Sequence, residues 1–198
     1  KPVAIKAAFQ KYADEVLFYE WIQYEFFGQW EKLKKYANKS GIKIIGDIPI
    51  YVAEDSADVW AHPELFQMDE DRSPVAVAGC PPDAFSADGQ LWGNPLYDWK
   101  YHKETGYAWW IERMKNCMKL YDVIRIDHFR GFDEYYSIVA GAKNARKGKW
   151  KKGPGLALFK AVKKEIGETP IIAEDLGFMT DSVRKLVKDT GFPNMKIA

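Results

Sequence analysis

The chain has 198 residues, long enough for a full domain with a large core. Its 29 basic and 28 acidic side chains leave a formal net charge of +1. That balance makes no field for nucleic acid or an anionic membrane, so neither is expected as a partner. Cys80 and Cys117 have no motif spacing, which predicts a reduced compartment and no disulfide framework. No apolar run approaches membrane-spanning length and no signal peptide opens the chain, so a soluble cytoplasmic protein is expected.

The first predicted element is a helix from Leu17 to Lys39. Trp21, Tyr24, Phe27, Trp30 and Leu33 recur every three residues in it, and Ser40-Gly41 ends it. Its aromatic residues are expected in the core. A strand follows over Ile42–Pro49, with Asp47 near its end. The stretch from Tyr51 to Gly106 is far longer than an ordinary strand-to-helix loop of about 2 to 6 residues. Gly and Pro fix turns in it, and Phe85, Trp92, Tyr97 and Trp99 supply flat apolar faces.

A second helix spans Tyr107–Leu120 and feeds the segment Val123-Ile124-Arg125-Ile126-Asp127-His128-Phe129-Arg130-Gly131. Its β-branched start reads as a buried strand. Alternation points Arg125 and Asp127 the same way, and burying such charges without partners is costly. Lys143–Lys152 reads as a basic, solvated loop. Gly153-Pro154-Gly155 opens a helix over Leu156–Ile166, and Thr169–Gly177 is a third predicted strand, holding Glu174 and Asp175. Thr180 is a predicted N-cap for a helix from Asp181 to Lys188. Met195–Ala198 begins a possible fourth strand.

Strands alternating with helices predict an α/β fold with a parallel sheet. Asp47, Asp127 and Glu174 each lie near a strand end, and a barrel would bring those ends to one mouth. A doubly wound sheet is the alternative, although no Gly-rich phosphate fingerprint follows any strand. Taken alone, Arg125 and Asp127 fit a structural ion pair as well as a site; the other two carboxylates favour a site. No Cys/His cluster points to a metal, and no cofactor is expected.

Four segments together resemble the amylomaltases, the 4-α-glucanotransferase or disproportionating-enzyme family. They are Arg125-Ile126-Asp127-His128-Phe129-Arg130-Gly131, Ala173-Glu174-Asp175-Leu176-Gly177, Gly46-Asp47-Ile48-Pro49-Ile50-Tyr51-Val52, and the loop from Pro82-Asp83 to Tyr97. The first two are shared in outline with the wider α-amylase group; the last two are more specific. The resemblance implies a partial TIM (β/α)8 barrel with long strand-to-helix loops over its C-terminal mouth. It implies retaining transfer of α-1,4-glucan segments between maltooligosaccharides. Hydrolysis on the same scaffold and silent glucan binding are the alternatives.

By the same resemblance Asp127 matches the nucleophile, Glu174 the general acid/base and Arg125 the arginine beside the nucleophile. Asp47 and His128 match sugar-hydroxyl contacts. Asp83, Phe85, Gln90 and Trp92 fall in the loop arching over the acceptor region. The family also carries a third carboxylate in a His-Asp pair, and no His-Asp dipeptide occurs here. Residues 1–198 are therefore expected to be part of one catalytic barrel domain, without its first and last strands. Oligomeric state is left open.

Overall fold

A computed structural model describes residues 2–177 and 179–196. The chain divides into two compact units, Lys1–Ile44 and Ile45–Ala198.

The first unit holds helix α1 (Pro2–Lys11), which the sequence reading did not assign, and helix α2 (Ala13–Lys39). Asp14 and Glu15 suit the positive N-terminal end of α2, and Gly41, with φ of 75°, follows its last turn. The expectation of core aromatics is corrected here. No residue of α2 is buried, and Trp21, Tyr24, Phe27 and Leu33 are exposed. Apolar periodicity reports a face able to bury itself; burial also needs a partner element. Within this unit only the ten-residue α1 is available.

The second unit contains two sheets. The parallel sheet has the order β1 (Ile45–Pro49), β4 (Val123–Asp127), β7 (Ile171–Ala173). The antiparallel sheet is built from β2 (Ala76–Cys80), β3 (Gln90–Pro95), β5 (Glu134–Val139) and β6 (Lys149–Lys152), in the order β3-β2-β5-β6. Short helices α3 (Ala57–Ala61) and α4 (Trp99–Glu104) complete the 51–106 stretch. That stretch is thus a folded insertion with two strands, two α-helices and a 3-10 turn at Pro63–Leu65. The expected loop at Lys143–Lys152 is likewise corrected, because its last four residues pair with β5. β6 is an exposed edge strand, and its lysines suit an edge that must not recruit another chain.

Helices α5 (Ala108–Leu120), α6 (Leu156–Ile166) and α7 (Asp181–Thr190) lie where periodicity placed them. Thr180 caps α7 by accepting the Val183 N–H through its hydroxyl. One core joins Ile48, Ile124, Ile126, Ile171 and Ala173 of the parallel sheet to Trp110 and Met114 of α5 and Leu158, Phe159 and Val162 of α6. Ile124 and Ile126 are fully buried, while Arg125 and Asp127, which alternate with them, are only partly so. The alternation therefore sends β4's apolar side chains into the core and its charges to the other face. Gly46 is required on β1, since any Cβ there would overlap the Tyr121 ring.

The third strand stops at Ala173, short of Glu174. Beyond it Asn194 bridges Ala173 in parallel. Of the expected fourth strand, Ile197 and Ala198 lie outside the described residues. Cys80 and Cys117 are both free and half-buried. Among the described residues no helix is long and apolar enough to cross a membrane.

Candidate active site

Register places the charged side chains. Asp47 of β1 stands opposite Arg125 of β4, and Pro49 opposite Asp127. The Arg125 guanidinium donates from Nη1 to both oxygens of Asp47, 2.6 Å each, and from Nη2 to Oδ1 of Asp127 at 3.0 Å. Its third contact is Nε to the Met195 sulfur, 3.2 Å. The Asp47 carboxylate, with Asp127 adding to it, holds Arg125 above the usual arginine range, so it stays charged. Asp47 and Asp127 are open to solvent, which leaves them accessible to a ligand.

Glu174 is stapled to the end of β4. Its N–H donates to the Ile126 carbonyl at 3.1 Å, and its carbonyl accepts the Phe129 N–H at 3.1 Å. Its carboxylate accepts the His128 N–H through Oε2 and the Leu176 N–H through Oε1, 2.9 Å each. Two main-chain donors thus orient Glu174 beside Asp127. Each oxygen keeps a lone pair for a proton or a ligand hydroxyl.

His128 has φ of 55°, a left-handed conformation that turns the chain directly after Asp127. Gly131 closes this turn against the segment after β1: an added Cβ would come within 2.8 Å of Ile50 Cδ1. The His128 ring meets Trp92 edge-on, with centroids 4.8 Å apart. Burial, helped by nearby Arg130, pushes its pKa down to about 4, so the ring is neutral at pH 7. Its Nε2 has no hydrogen-bond partner among the described residues.

The loop residues divide into two groups. Trp92 packs between His128 and Tyr51 and donates its indole N–H to Gln90 Oε1 at 2.9 Å. Trp92 and Gln90 therefore join the cluster of Asp47, Arg125, Asp127, Glu174 and His128. Asp83 instead accepts the N–H groups of Phe85 and Ser86, 2.8 Å each, in a local Asx turn. Phe85 projects from that turn with 98% of its surface exposed. No hydrogen bond or ring contact among the described residues ties either one to the cluster.

Several residues that shape the site are not marked as such by the sequence, which offers Tyr97 only as an apolar face. Arg113 of α5 donates to the carbonyls of Pro49 and Ile50, and the Tyr97 hydroxyl donates to Ile50. Asn94 donates to the Val52 carbonyl. Together they pin the segment after β1, whose main-chain acceptors would otherwise lack partners. Cys80, at the end of β2, lies within the electrostatic reach of Asp83 and Glu174, and burial pushes its thiol up to about 11. Only the pairing of β2 with β3 and β5 brings it there.

The glycoside hydrolase family 77 model, described as 4-alpha-glucanotransferase, matches residues 1–198. The 4-alpha-glucanotransferase of Streptococcus pneumoniae serotype 4 is 56% identical over 197 residues, covering 100% of this chain and 39% of that protein. The one from Clostridium butyricum is 55% identical over 193 residues, covering 95% and 40%. In structure the chain is similar to the amylomaltase from Streptococcus agalactiae in complex with acarbose: TM-score 0.97, 49% identity, 100% of this chain and 40% of that one. The amylomaltase of Corynebacterium glutamicum, 24% identical with a TM-score of 0.79, shares the fold. The chain spans about two-fifths of the length of the curated relatives it matches. With a full-length family match and relatives above half identity, this chain belongs to the 4-alpha-glucanotransferases of glycoside hydrolase family 77.

Proposed function

We propose that this chain carries the reacting carboxylates of a retaining 4-α-glucanotransferase acting on maltooligosaccharides. The observation that carries the reading is the coupling of the strand ends: Arg125 binds Asp127, and the next N–H, that of His128, binds Glu174. Retaining chemistry needs two carboxyl groups roughly 5 to 5.5 Å apart on one sugar, and the position of Asp127 at the end of β4, with Glu174 just past the end of the adjoining parallel β7, supports that reading.

In the first step an Asp127 oxygen bonds to the anomeric carbon. The glycosidic C–O bond breaks as Glu174 gives its proton to the leaving 4-oxygen. In the second, the 4-hydroxyl of an acceptor sugar bonds to that carbon, Glu174 takes its proton and the ester to Asp127 breaks. Arg125 aims Asp127 through the bond from its Nη2. The exposed oxygens of Asp47 are placed for sugar hydroxyls, whereas the neutral Nε2 of His128 is buried and unpartnered and would take a sugar hydroxyl only once the ring is uncovered. Trp92, backed by Tyr51, gives a face against which a sugar ring packs. Gln90 orients the Trp92 indole, while Asp83 holds the turn that presents Phe85 toward an acceptor.

We read the parallel sheet, with Asn194 bridging beyond β7, as an arc of a (β/α)8 barrel whose mouth holds these groups. On that reading residues 1–198 form part of one catalytic domain and the folded insertion stands over its C-terminal face. The test is incubation with maltotriose, with Asp127→Asn as control. Glucose together with oligosaccharides longer than the substrate, absent in the control, is expected. Glucose and maltose alone would make the chain a hydrolase, and no turnover would overturn activity of this chain by itself.

A further inference from the structure

We infer that Asp175 is a positioning residue that aligns Arg125, and through it Asp127, by way of Met195; this rests on the reading of Asp127 as nucleophile. Asp175 follows Glu174 but serves the opposite neighbour. The Glu174 carboxylate binds main-chain N–H groups toward β4, whereas the Asp175 carboxylate binds the segment beyond β7. That segment is held to the sheet by a single bridge, Ala173 to Asn194, with the Ala173 N–H donating to the Pro193 carbonyl at 2.9 Å.

Among the described residues past the bridge, Asp175 takes over the hold on this segment. Its Oδ1 accepts the Met195 N–H and its Oδ2 the Asn194 side-chain amide, 3.1 Å each. One carboxylate thus clamps two consecutive residues. The clamp delivers the Met195 sulfur to within 3.2 Å of Arg125 Nε.

That contact matters because the guanidinium is otherwise pulled unequally. Asp47 offers two oxygens at 2.6 Å to Nη1, and Asp127 one at 3.0 Å to Nη2. Rotation toward Asp47 would lengthen the weaker bond. A planar guanidinium held on a third N–H cannot make that rotation freely. A thioether is a weak, uncharged acceptor, so it fixes the plane without competing for the positive charge. Asp175 touches neither Arg125 nor Asp127 itself, and its influence passes through Met195.

The test reads Arg125 directly. The solvent-exchange rate of its Nε–H is measured by 15N NMR in the 198-residue chain, the signal being assigned by its loss in Arg125→Lys. Asp175→Ala and Met195→Leu are expected to accelerate exchange by roughly tenfold, the scale of one lost hydrogen bond. Asp175→Asn keeps an oxygen for the Met195 N–H and is expected to stay near the wild-type rate. Unchanged exchange in Met195→Leu, with folding intact by circular dichroism, overturns the inference even where Asp175→Ala fails to fold. In a maltotriose assay, Asp175→Ala should lower kcat with KM unchanged, and adding Met195→Leu should cost little more. Fully additive losses would also overturn it. Wild-type chain without turnover counts against the proposed activity alone, because the exchange measurement needs none.

Discussion

The strand ends and the loop from Pro82 to Tyr97 carry the same family resemblance, yet they hold their residues by different means. Asp47, Arg125, Asp127 and Glu174 are placed at the ends of the parallel ladder: register sets Asp47 against Arg125 of the next strand, Asp127 binds Arg125 of its own strand, and Glu174, just past β7, binds the turn after β4. The loop residues are placed by local turns and ring packing, and only Trp92 and Gln90 reach the strand-end cluster. A ladder couples distant sequence positions rigidly, whereas an Asx turn fixes only its own few residues. On the proposed function, the strand ends serve chemistry that tolerates little displacement, and the loop serves contact with a substrate that varies in length.

If that division holds, substitutions should fall in order of rigidity. Glu174→Gln keeps one acceptor oxygen, so it loses one of the two accepted N–H bonds as well as the transferable proton. It is expected to lower transfer by about 10²- to 10⁴-fold, with a stability loss of only about 1 kcal/mol; a loss of transfer under tenfold would remove Glu174 from the acid/base role. The next effect lies beneath the loop, where His102 is fully buried and makes edge and tilted ring contacts with Tyr97 and Trp99. Burial pushes its pKa down to about 4, with the Leu65 carbonyl and Asp98 opposing. Between the usual value of about 6.5 and 4 the unfolded chain binds a proton that the folded chain refuses. Stability should therefore fall as pH drops through that window, by up to about 3 kcal/mol. Urea titrations from pH 7 to 4 test this, and a His102→Gln chain with the same pH slope would contradict it. Arg125→Lys comes third. One ammonium cannot span Asp47, Asp127 and the Met195 sulfur, so kcat should fall by about 10- to 100-fold with KM nearly constant.

The two regions were also unequally legible. Val123–Asp127 reads as a buried strand because β-branched residues alternate with charges, and α5, α6 and α7 because apolar spacing, turns and a cap agree. The antiparallel sheet escaped reading. Ala76–Cys80 is short and Gly-containing, and Lys149–Lys152 is three lysines around one Trp. Such strands are specified by the partners they pair with, which no local pattern reveals. The stripe on α2 was legible as a face but not as an exposed one. At the site, the strand pattern made Asp127 a candidate and the family resemblance made Glu174 one, while Arg113 and Asp175 bind main-chain groups remote in sequence.

The smallest expected effects separate the two halves of the loop itself. Phe85 is almost wholly exposed on its Asx turn, so Phe85→Ala should change stability by no more than about 0.5 kcal/mol. Any effect it has belongs to acceptor binding, read as a higher KM for the acceptor with kcat intact. Trp92 is 36% exposed and shares its ring with His128 and Tyr51, so Trp92→Ala should cost about 1 kcal/mol through those contacts. It should also raise the ratio of hydrolysis to transfer, because opening the apolar cover beside His128 admits water to the glycosyl-enzyme. Free glucose measured against total bond cleavage from maltotriose gives that ratio. A raised ratio in Trp92→Ala with none in Phe85→Ala would show that shielding belongs to the half of the loop tied to the strand ends. Equal ratios in both variants and the wild type would show that the loop binds sugar without controlling water.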